Sequence, residues 1–143
     1  MNFEEFLSLN DMTISQSEAL NHNVLVFAFV GDAVFTLFVR GFLASTSTKK
    51  AGILHTETSK YVKASYQAKL LDLLGSDLTE REAQLCKTAR NIKTHNIAKN
   101  SNLEEYKKAT SFESLLGYLY MTKQSTRLME ILNICKSQII KEQ

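Results

Sequence analysis

Apolar residues recur along most of this chain at spacings of three and four, which is the repeat of one face of an α-helix. The sequence contains no proline and only five glycines among 143 residues, so little interrupts these patterns. They predict an all-α fold. The expected helices cover approximately residues 2–9, 23–44, 49–74, 101–121 and 125–141, and one more begins after Thr79.

Two of the expected helices have a specific start signal. Thr79 followed by Glu82, and Ser101 followed by Glu104, have the S/T-x-x-E form of a capping box. The longest apolar run covers residues 24–39, which is shorter than a membrane span, and a carboxylate interrupts it. We therefore expect this run to form a buried core helix and not a membrane anchor.

The composition indicates one globular domain with an uneven charge distribution. A length of 143 residues with 44% hydrophobic content is typical of a single domain. The net charge is only +2, but residues 49–69 hold five lysines against one glutamate, and residues 87–108 hold six basic residues against two glutamates. Two basic zones on an otherwise acidic chain suggest an anionic partner, and solvated helix faces are the alternative.

The two cysteines, Cys86 and Cys135, are far apart and form no CxxC motif. They match neither a disulfide framework nor a zinc site, so a reducing cytoplasm is the expected compartment. Four acidic residues among the first twenty argue against a targeting peptide.

Two acids stand inside otherwise apolar helices. Burying Asp32 is costly unless it is paired or binds a cation, and Gly31 beside it suggests that another backbone approaches closely. Glu113 has the small residues Ala109 and Gly117 one helical turn away on either side. If these helices pack together, the acids converge, and oxygen ligands favour Mg²⁺ or Mn²⁺. Alternatively, each acid is bound separately by an arginine, a helix end or a backbone amide.

A basic cluster lies between the two acids in the sequence. Lys87, Arg90, Asn91 and Lys93 cannot all share one helix face, but their density near a helix end suits contacts with phosphate groups. For Asn91 the alternative is an ordinary loop residue. An anionic ligand together with a divalent-metal pair suggests phosphodiester chemistry.

Several motifs resemble one known family. Residues 29–34 (FVGDAV) resemble the signature helix of the ribonuclease III endonuclease domain, and residues 110–120 (TSFESLLGYLY) resemble its second acidic motif. Residues 89–93, 98–100 and 106–110 are similar to Mini-ribonuclease III, the bacterial branch of this family that lacks a double-stranded-RNA-binding domain.

The resemblance covers about residues 20–140 and implies one all-α ribonuclease III-like catalytic domain over residues 1–143, without a double-stranded-RNA-binding domain. It implies a cytoplasmic homodimer that is not bound to a membrane. The implied activity is hydrolysis of double-stranded RNA with Mg²⁺, or with Mn²⁺, which leaves 5′-phosphate and 3′-hydroxyl ends. The branch is associated with maturation of 23S ribosomal RNA precursors.

The resemblance also implies roles for particular residues. Asp32 and Glu113 match the metal ligands of the family and are the expected catalytic residues. The RNA backbone is expected to contact the basic cluster of Lys87, Arg90, Asn91 and Lys93. A non-catalytic RNA-binding or scaffold protein with the same fold is the alternative, and the retention of both acids favours the enzyme.

The chain departs from full-length ribonuclease III at two acidic positions. Ala28 and Thr110 stand where that enzyme has further carboxylates, four residues before Asp32 and three before Glu113. Magnesium commonly uses one or two protein carboxylates, so the loss is compatible with activity. Thr110 is expected to orient Glu113 or a metal-bound water. No histidine base is required, and structural or RNA-contacting roles are expected for His22, His55 and His95.

Overall fold

The structure is a computed structural model that describes residues 1–2, 5–6, 12–93 and 102–143. The described residues form helices and no strand, which confirms the predicted all-α class. The predicted helix over residues 2–9 lies largely outside the described residues, as does His95. The helices, numbered α1 to α7 with a 3₁₀ turn before α5, are Gln16–Ala19, Val24–Thr46, Ala51–Val62, Ala64–Leu74, Gly75–Asp77 (the turn), Glu80–Arg90, Leu103–Met121 and Ser125–Lys141.

Helix α6 is the centre of the fold, because it packs against α2, α4, α5 and α7. Its buried residues occupy nearly every side of the helix from Ala109 to Leu119, as expected for a helix surrounded by others. Its most extensive contact is with α2. Phe35 of α2 meets Phe112 of α6 edge to face, with ring centroids 5.0 Å apart, and this crossing positions the candidate site described below.

Two glycines allow the backbones of α2 and α6 to touch. A Cβ atom on Gly31 would overlap the carbonyl oxygen of Glu113, and a Cβ on Gly117 would overlap the carbonyl oxygen of Phe27. The close approach that the sequence suggested at Gly31 is therefore present. Ser114 strengthens the crossing, because its hydroxyl donates to the carbonyl of Val24 at 3.1 Å.

Helix α2 is only partly the buried core helix that the sequence predicted. Phe27, Phe35 and Val39 lie on its buried face, but the opposite face exposes Phe29 and Leu37 by 81% and 72%. The prediction was wrong for this face, because an apolar side chain does not reveal what covers it. The helix is also longer than the predicted run. At 23 residues it is the one described helix long and apolar enough to cross a membrane by length and composition.

The predicted helix over residues 49–74 is wrong at its middle, since Lys63 separates α3 from α4. Lys63 has extended backbone angles, φ −70° and ψ 154°, and ends one helix while it caps the next. The break allows Tyr61 and Tyr66 to pack edge to face with ring centroids 5.2 Å apart. It also frees the carbonyl of Val62, which accepts a hydrogen bond from the side chain of Gln67. No glycine or proline marks this break in the sequence.

One predicted capping box is confirmed and the other is wrong. Thr79 Oγ1 accepts from the Glu82 backbone N–H at 3.2 Å, and Glu82 Oε1 accepts from the Thr79 N–H at 3.0 Å. Helix α6 is instead capped by Asn102, whose Oδ1 accepts from the N–H groups of Glu104 and Glu105. The cap therefore lies one residue after Ser101, and Ser101 itself is outside the described residues. Asparagine and serine are about equally favourable at this position.

Candidate active site

The crossing of α2 and α6 brings the two predicted acids together. Asp32 follows Gly31 directly, and Glu113 precedes Gly117 by one turn, so the glycine contact places both side chains at the same point. The two carboxyl groups are close enough to hydrogen bond. Asp32 is solvent-exposed, whereas Glu113 is half-buried. The prediction that Asp32 is itself buried was therefore wrong, and Glu113 is the acid that loses solvent.

Burial and the neighbouring acid both act on Glu113. Loss of solvent is the largest cause, followed by the hydrogen bond and the negative charge of Asp32, and together they raise the pKa of Glu113 to about 8. A half-buried carboxyl group next to a second acid therefore favours either a proton or a bound cation.

Glu113 has one further polar neighbour that the sequence analysis did not identify. The side-chain amide of Gln67 on α4 borders the same cavity as the Glu113 carboxyl group and opposes the rise in its pKa. Gln67 is 2% exposed and occupies the same face of α4 as Leu70 and Leu74. A glutamine on an apolar stripe was the available signal in the sequence.

A small cavity adjoins Glu113 on the side of the α3–α4 junction. Its volume is about 130 Å³, and Gln67, Tyr106, Thr110 and Glu113 contribute to its wall. The Thr110 hydroxyl donates to the backbone carbonyl of Tyr106 at 3.0 Å. Its proton is therefore directed into its own helix, although the side chain shares the cavity with Glu113.

The carboxylate oxygens of Asp32 and Glu113 are suitable ligands for a hard divalent cation. No ion pair within the described part of the chain joins Asp32 or Glu113 to a basic residue, so the alternative of a separate arginine partner finds no support there. The described residues contain no cluster of three or more histidine, cysteine, aspartate or glutamate side chains. Two carboxylates with solvent access suit Mg²⁺ or Mn²⁺, which keep several water ligands.

The predicted basic cluster lies at the end of α5. Lys87 and Arg90 belong to the last turn of the helix, Asn91 is its C-cap, and Lys93 follows; all four are exposed. Within the described residues, none of the three cations forms an ion pair with an acid. Other basic residues of the two zones are paired, as Lys108 is with Asp72 at 2.9 Å.

The end of α5 is attached to the part of α6 that carries Glu113. The Ser111 hydroxyl donates to the carbonyl of Cys86 at 2.6 Å, in a buried contact between the two helices. Ser111 is two residues before Glu113, and Cys86 precedes Lys87. The basic cluster and the acid pair are therefore on adjoining segments of one rigid core.

Comparison with known proteins identifies the family of this chain. The family model for the ribonuclease III domain matches residues 25–124. A Mini-ribonuclease 3 from Enterococcus faecalis is 42% identical over 119 residues, which cover 82% of this chain and 90% of that protein. A Mini-ribonuclease 3 from a Thermoanaerobacter species is 36% identical over 133 residues, or 93% of each chain.

A solved structure has the same fold. The crystal structure of a protein from Fusobacterium nucleatum superposes with a TM-score of 0.74 at 29% identity, covering 82% of this chain and 94% of the other. The helical fold, the acid pair and these matches define a nuclease domain of the ribonuclease III class. The chain belongs to the ribonuclease III family, in its Mini-ribonuclease 3 branch. It is thus an endoribonuclease whose substrate is RNA, in a family generally dependent on divalent metals.

Proposed function

We propose that this protein cleaves double-stranded RNA with a divalent metal held by Asp32 and Glu113, and leaves 5′-phosphate and 3′-hydroxyl ends. The observation that carries the proposal is the convergence of these acids at the glycine crossing, with no basic partner for either among the described residues. Mg²⁺ is the proposed metal, and Mn²⁺ has the same ligand preferences.

The two acids have different tasks in this proposal. A bound divalent metal would polarise the scissile phosphate and lower the pKa of an attacking water. Asp32 is exposed and therefore lies where an RNA phosphate can approach. Glu113 is held in the wall of the cavity and must release its proton to become a ligand. Thr110 shares that wall, and we propose that its oxygen orients a water next to Glu113.

RNA binding is assigned to the basic cluster. Lys87, Arg90 and Lys93 are exposed cations without acidic partners in the described residues, and Asn91 can donate to a sugar hydroxyl. Recognition of a duplex by its A-form shape, its phosphates and its 2′-hydroxyl groups needs contacts of this kind. Affinity for the duplex should fall steeply with salt, since neutralised phosphates release their counterions.

A homodimer is supported by the exposed face of α2. Val26, Phe29, Ala33 and Leu37 are exposed and follow one another at spacings of three and four, so they form an apolar stripe. Phe29 lies one turn before Asp32 on the same helix. A second copy packed on this stripe would bring the two active sites to one surface, across which a duplex can lie.

The remaining parts of the proposal rest on the family resemblance. We propose that the described helices act as one catalytic domain in the cytoplasm, and that a 23S ribosomal RNA precursor is the natural substrate. The support is the similarity of residues 89–93, 98–100 and 106–110 to Mini-ribonuclease III.

The proposal is tested by cleavage of a long RNA duplex with Mg²⁺ and, separately, with EDTA. Asp32→Asn should abolish cleavage, because the amide cannot replace a carboxylate as a metal ligand. Glu104→Gln is the matched control, since it removes an exposed acid from α6 that lies more than two helical turns before Glu113. Cutting by Asp32→Asn at the wild-type rate would refute the site.

The same experiment separates the alternative functions. Salt-sensitive binding of the duplex without cleavage by the wild-type protein would favour a scaffold with a ribonuclease III fold. Association with a protein partner that is insensitive to salt, with no binding of RNA, would indicate a helical interaction module.

A further inference from the structure

Gln67 is a polar side chain in a place where polar groups are costly. It is 2% exposed and lies between the aliphatic core of α4 and the acid pair. Burial of an amide is unfavourable unless its hydrogen bonds are replaced. The interactions of this amide therefore need a specific explanation.

The orientation of the amide is determined by its neighbours. Gln67 Nε2 donates to the backbone carbonyl of Val62 at 3.0 Å, and the amide shares a cavity wall with Glu113, whose pKa it lowers. The Val62 carbonyl and the ionised Glu113 carboxylate are both acceptors, so the NH₂ group is the part of the amide that stabilises the ionised form of Glu113. Oε1 is then left buried without a partner in the described structure.

The attachment point at Val62 is a consequence of the break between α3 and α4. In a continuous helix the Val62 carbonyl would accept from the backbone N–H of Tyr66. Here that N–H donates to Lys63 instead, at 3.1 Å, and the Gln67 side chain takes the place it leaves. The amide is consequently fixed to a backbone atom at the α3–α4 junction.

The side chain that carries this oxygen borders a space that can hold water. Gln67, Thr110 and Glu113 line the same cavity of about 130 Å³, which is large enough for more than one water molecule. A buried acceptor without a partner is usually satisfied by a water of this kind. Such a water would also reach the polar groups of Thr110 and Glu113.

We propose that Gln67 is the positioning residue of the metal site: its NH₂ group ties the Glu113 carboxylate to the α3–α4 junction, and its Oε1 accepts from a water in the adjoining cavity. The amide is neutral, so it orients Glu113 without neutralising the charge that a cation needs. Lysine or arginine at this position would compete with the metal. The inference rests on the proposed function, since it assumes that Glu113 is a ligand.

The test measures metal binding directly, without RNA, together with cleavage. Mn²⁺ binding is followed by electron paramagnetic resonance for wild type, Gln67→Leu and Gln67→Met, with circular dichroism to verify folding. Loss of a group that orients a metal ligand commonly weakens metal affinity by about 10- to 100-fold, which is the expected result here. Cleavage by the variants should recover as the metal concentration is raised, whereas KM for the duplex should stay unchanged at saturating metal.

Thr58→Val is the matched control, because Thr58 is 3% exposed on α3, one turn before Val62, and its hydroxyl donates to the Leu54 carbonyl of its own helix. This variant should bind Mn²⁺ as wild type does. Unchanged Mn²⁺ affinity in both folded Gln67 variants would overturn the inference, whatever their stability.

Failure of this inference can be distinguished from failure of the proposed function. If wild type binds Mn²⁺ and Asp32→Asn does not, but RNA is not cut, the nuclease proposal fails and the Gln67 variants still decide the positioning role. If wild type binds no Mn²⁺, both proposals are overturned.

Discussion

Two glutamates illustrate how differently the same side chain is used in this fold. Glu82 on α5 is 3% exposed and accepts from Arg127 Nε and Nη2 at 3.0 and 2.8 Å. Burial pushes its pKa up, but the hydrogen bonds from Arg127 and Thr79 outweigh burial and hold the pKa below its usual range. Glu113 faces another acid and a neutral amide, and its pKa is raised instead.

The difference separates a structural acid from one suited to bind a cation. The pairing of Glu82 with Arg127 links α5 to α7 and is complete within the protein. Glu113 is left with excess negative charge as soon as it ionises, and a divalent metal supplies the missing positive charge. Burial of an acid alone is therefore a poor indicator of function, whereas burial without a cationic partner is informative.

The largest effects are expected when each of the two acids is replaced by glutamine and the two variants are compared. Glu113→Gln should reduce cleavage by at least about 10³-fold, because a metal contributes several kcal/mol of transition-state stabilisation, and should leave folding intact. Glu82→Gln should leave cleavage within a few-fold of wild type. It should lower the free energy of unfolding by about 2 kcal/mol, since Arg127 loses its charged partner. Duplex cleavage measures the activity of both variants, and urea unfolding measures their free energy of unfolding. A large loss of cleavage in Glu82→Gln with intact folding would break the comparison.

The next largest effect, on the free energy of unfolding, is expected at Gly31, where α2 crosses α6. Gly31→Ala places a methyl group where the Glu113 carbonyl lies, so the helices must separate. The expected loss in the free energy of unfolding is about 2–3 kcal/mol, accompanied by weaker metal binding. Gly41→Ala on the same helix is the control, because its Cβ would meet no atom within 4 Å. It should raise stability by up to about 1 kcal/mol. Urea unfolding of both variants tests this, and equal behaviour would refute the close contact.

Glu113 and Glu82 should change the free energy of unfolding of the metal-free protein in opposite directions as the pH rises. Folding raises the pKa of Glu113 from 4.5 to about 8. Its stabilising contribution is therefore fully present below pH 4.5 and decreases as the pH rises to 8, with a slope of at most about 1.4 kcal/mol per pH unit. Glu82 has the opposite sign: its contribution is present above its ordinary pKa and is lost as the pH falls through the lowered value.

Thermal unfolding in EDTA between pH 5 and 8 measures this window. The melting temperature of wild type should fall across it by roughly 2–8 °C for each kcal/mol lost. Glu113→Gln should remove this part of the slope, while Glu82→Gln should retain it. Addition of Mg²⁺ at pH 8 should restore the wild-type melting temperature, since the metal binds the ionised acid. An identical slope in wild type and Glu113→Gln would contradict the assignment.

The smallest effect is expected at Thr110. Its hydroxyl proton is already donated to the Tyr106 carbonyl, so Thr110→Val removes one oxygen acceptor from a residue that lines the cavity. Cleavage should fall by no more than about 10-fold, the lower end of the range for groups that orient a ligand. Initial rates at saturating Mg²⁺ measure it. A loss as large as that of Glu113→Gln would show that Thr110 does more than orient a water.

The features that were predictable from the sequence depend on local rules. The Thr79 capping box is a contact between residues three apart, and Gly31 and Gly117 reveal a close helix crossing because only a missing side chain permits it. The convergence of Asp32 and Glu113 followed from that crossing. The capping box and the close approach at glycine needed only neighbours along one helix, whereas the convergence of the acids also required that α2 and α6 pack together, which the sequence left open.

The features that were not predictable depend on the tertiary environment. Lys63 ends a helix without any helix-breaking residue, because the packing of Tyr61 and Tyr66 and the hydrogen bond of Gln67 stabilise the break. Phe29 is as apolar as the buried Phe27, yet it is 81% exposed. Gln67 is recognisable in the sequence only as a polar residue on an apolar stripe, and its proximity to Glu113 depends on a different helix. Periodicity cannot supply any of these contacts.

The contact between Gly31 and Gly117 has a practical consequence for protein engineering. Because the backbones of α2 and α6 touch there, the distance between the two helix axes that carry Asp32 and Glu113 is determined by main-chain atoms. The cations at the end of α5 lie outside this contact. RNA preference can therefore be varied by mutagenesis at the exposed Lys87, Arg90 and Lys93, while the backbone contact beneath Asp32 and Glu113 is present in every variant of such a library.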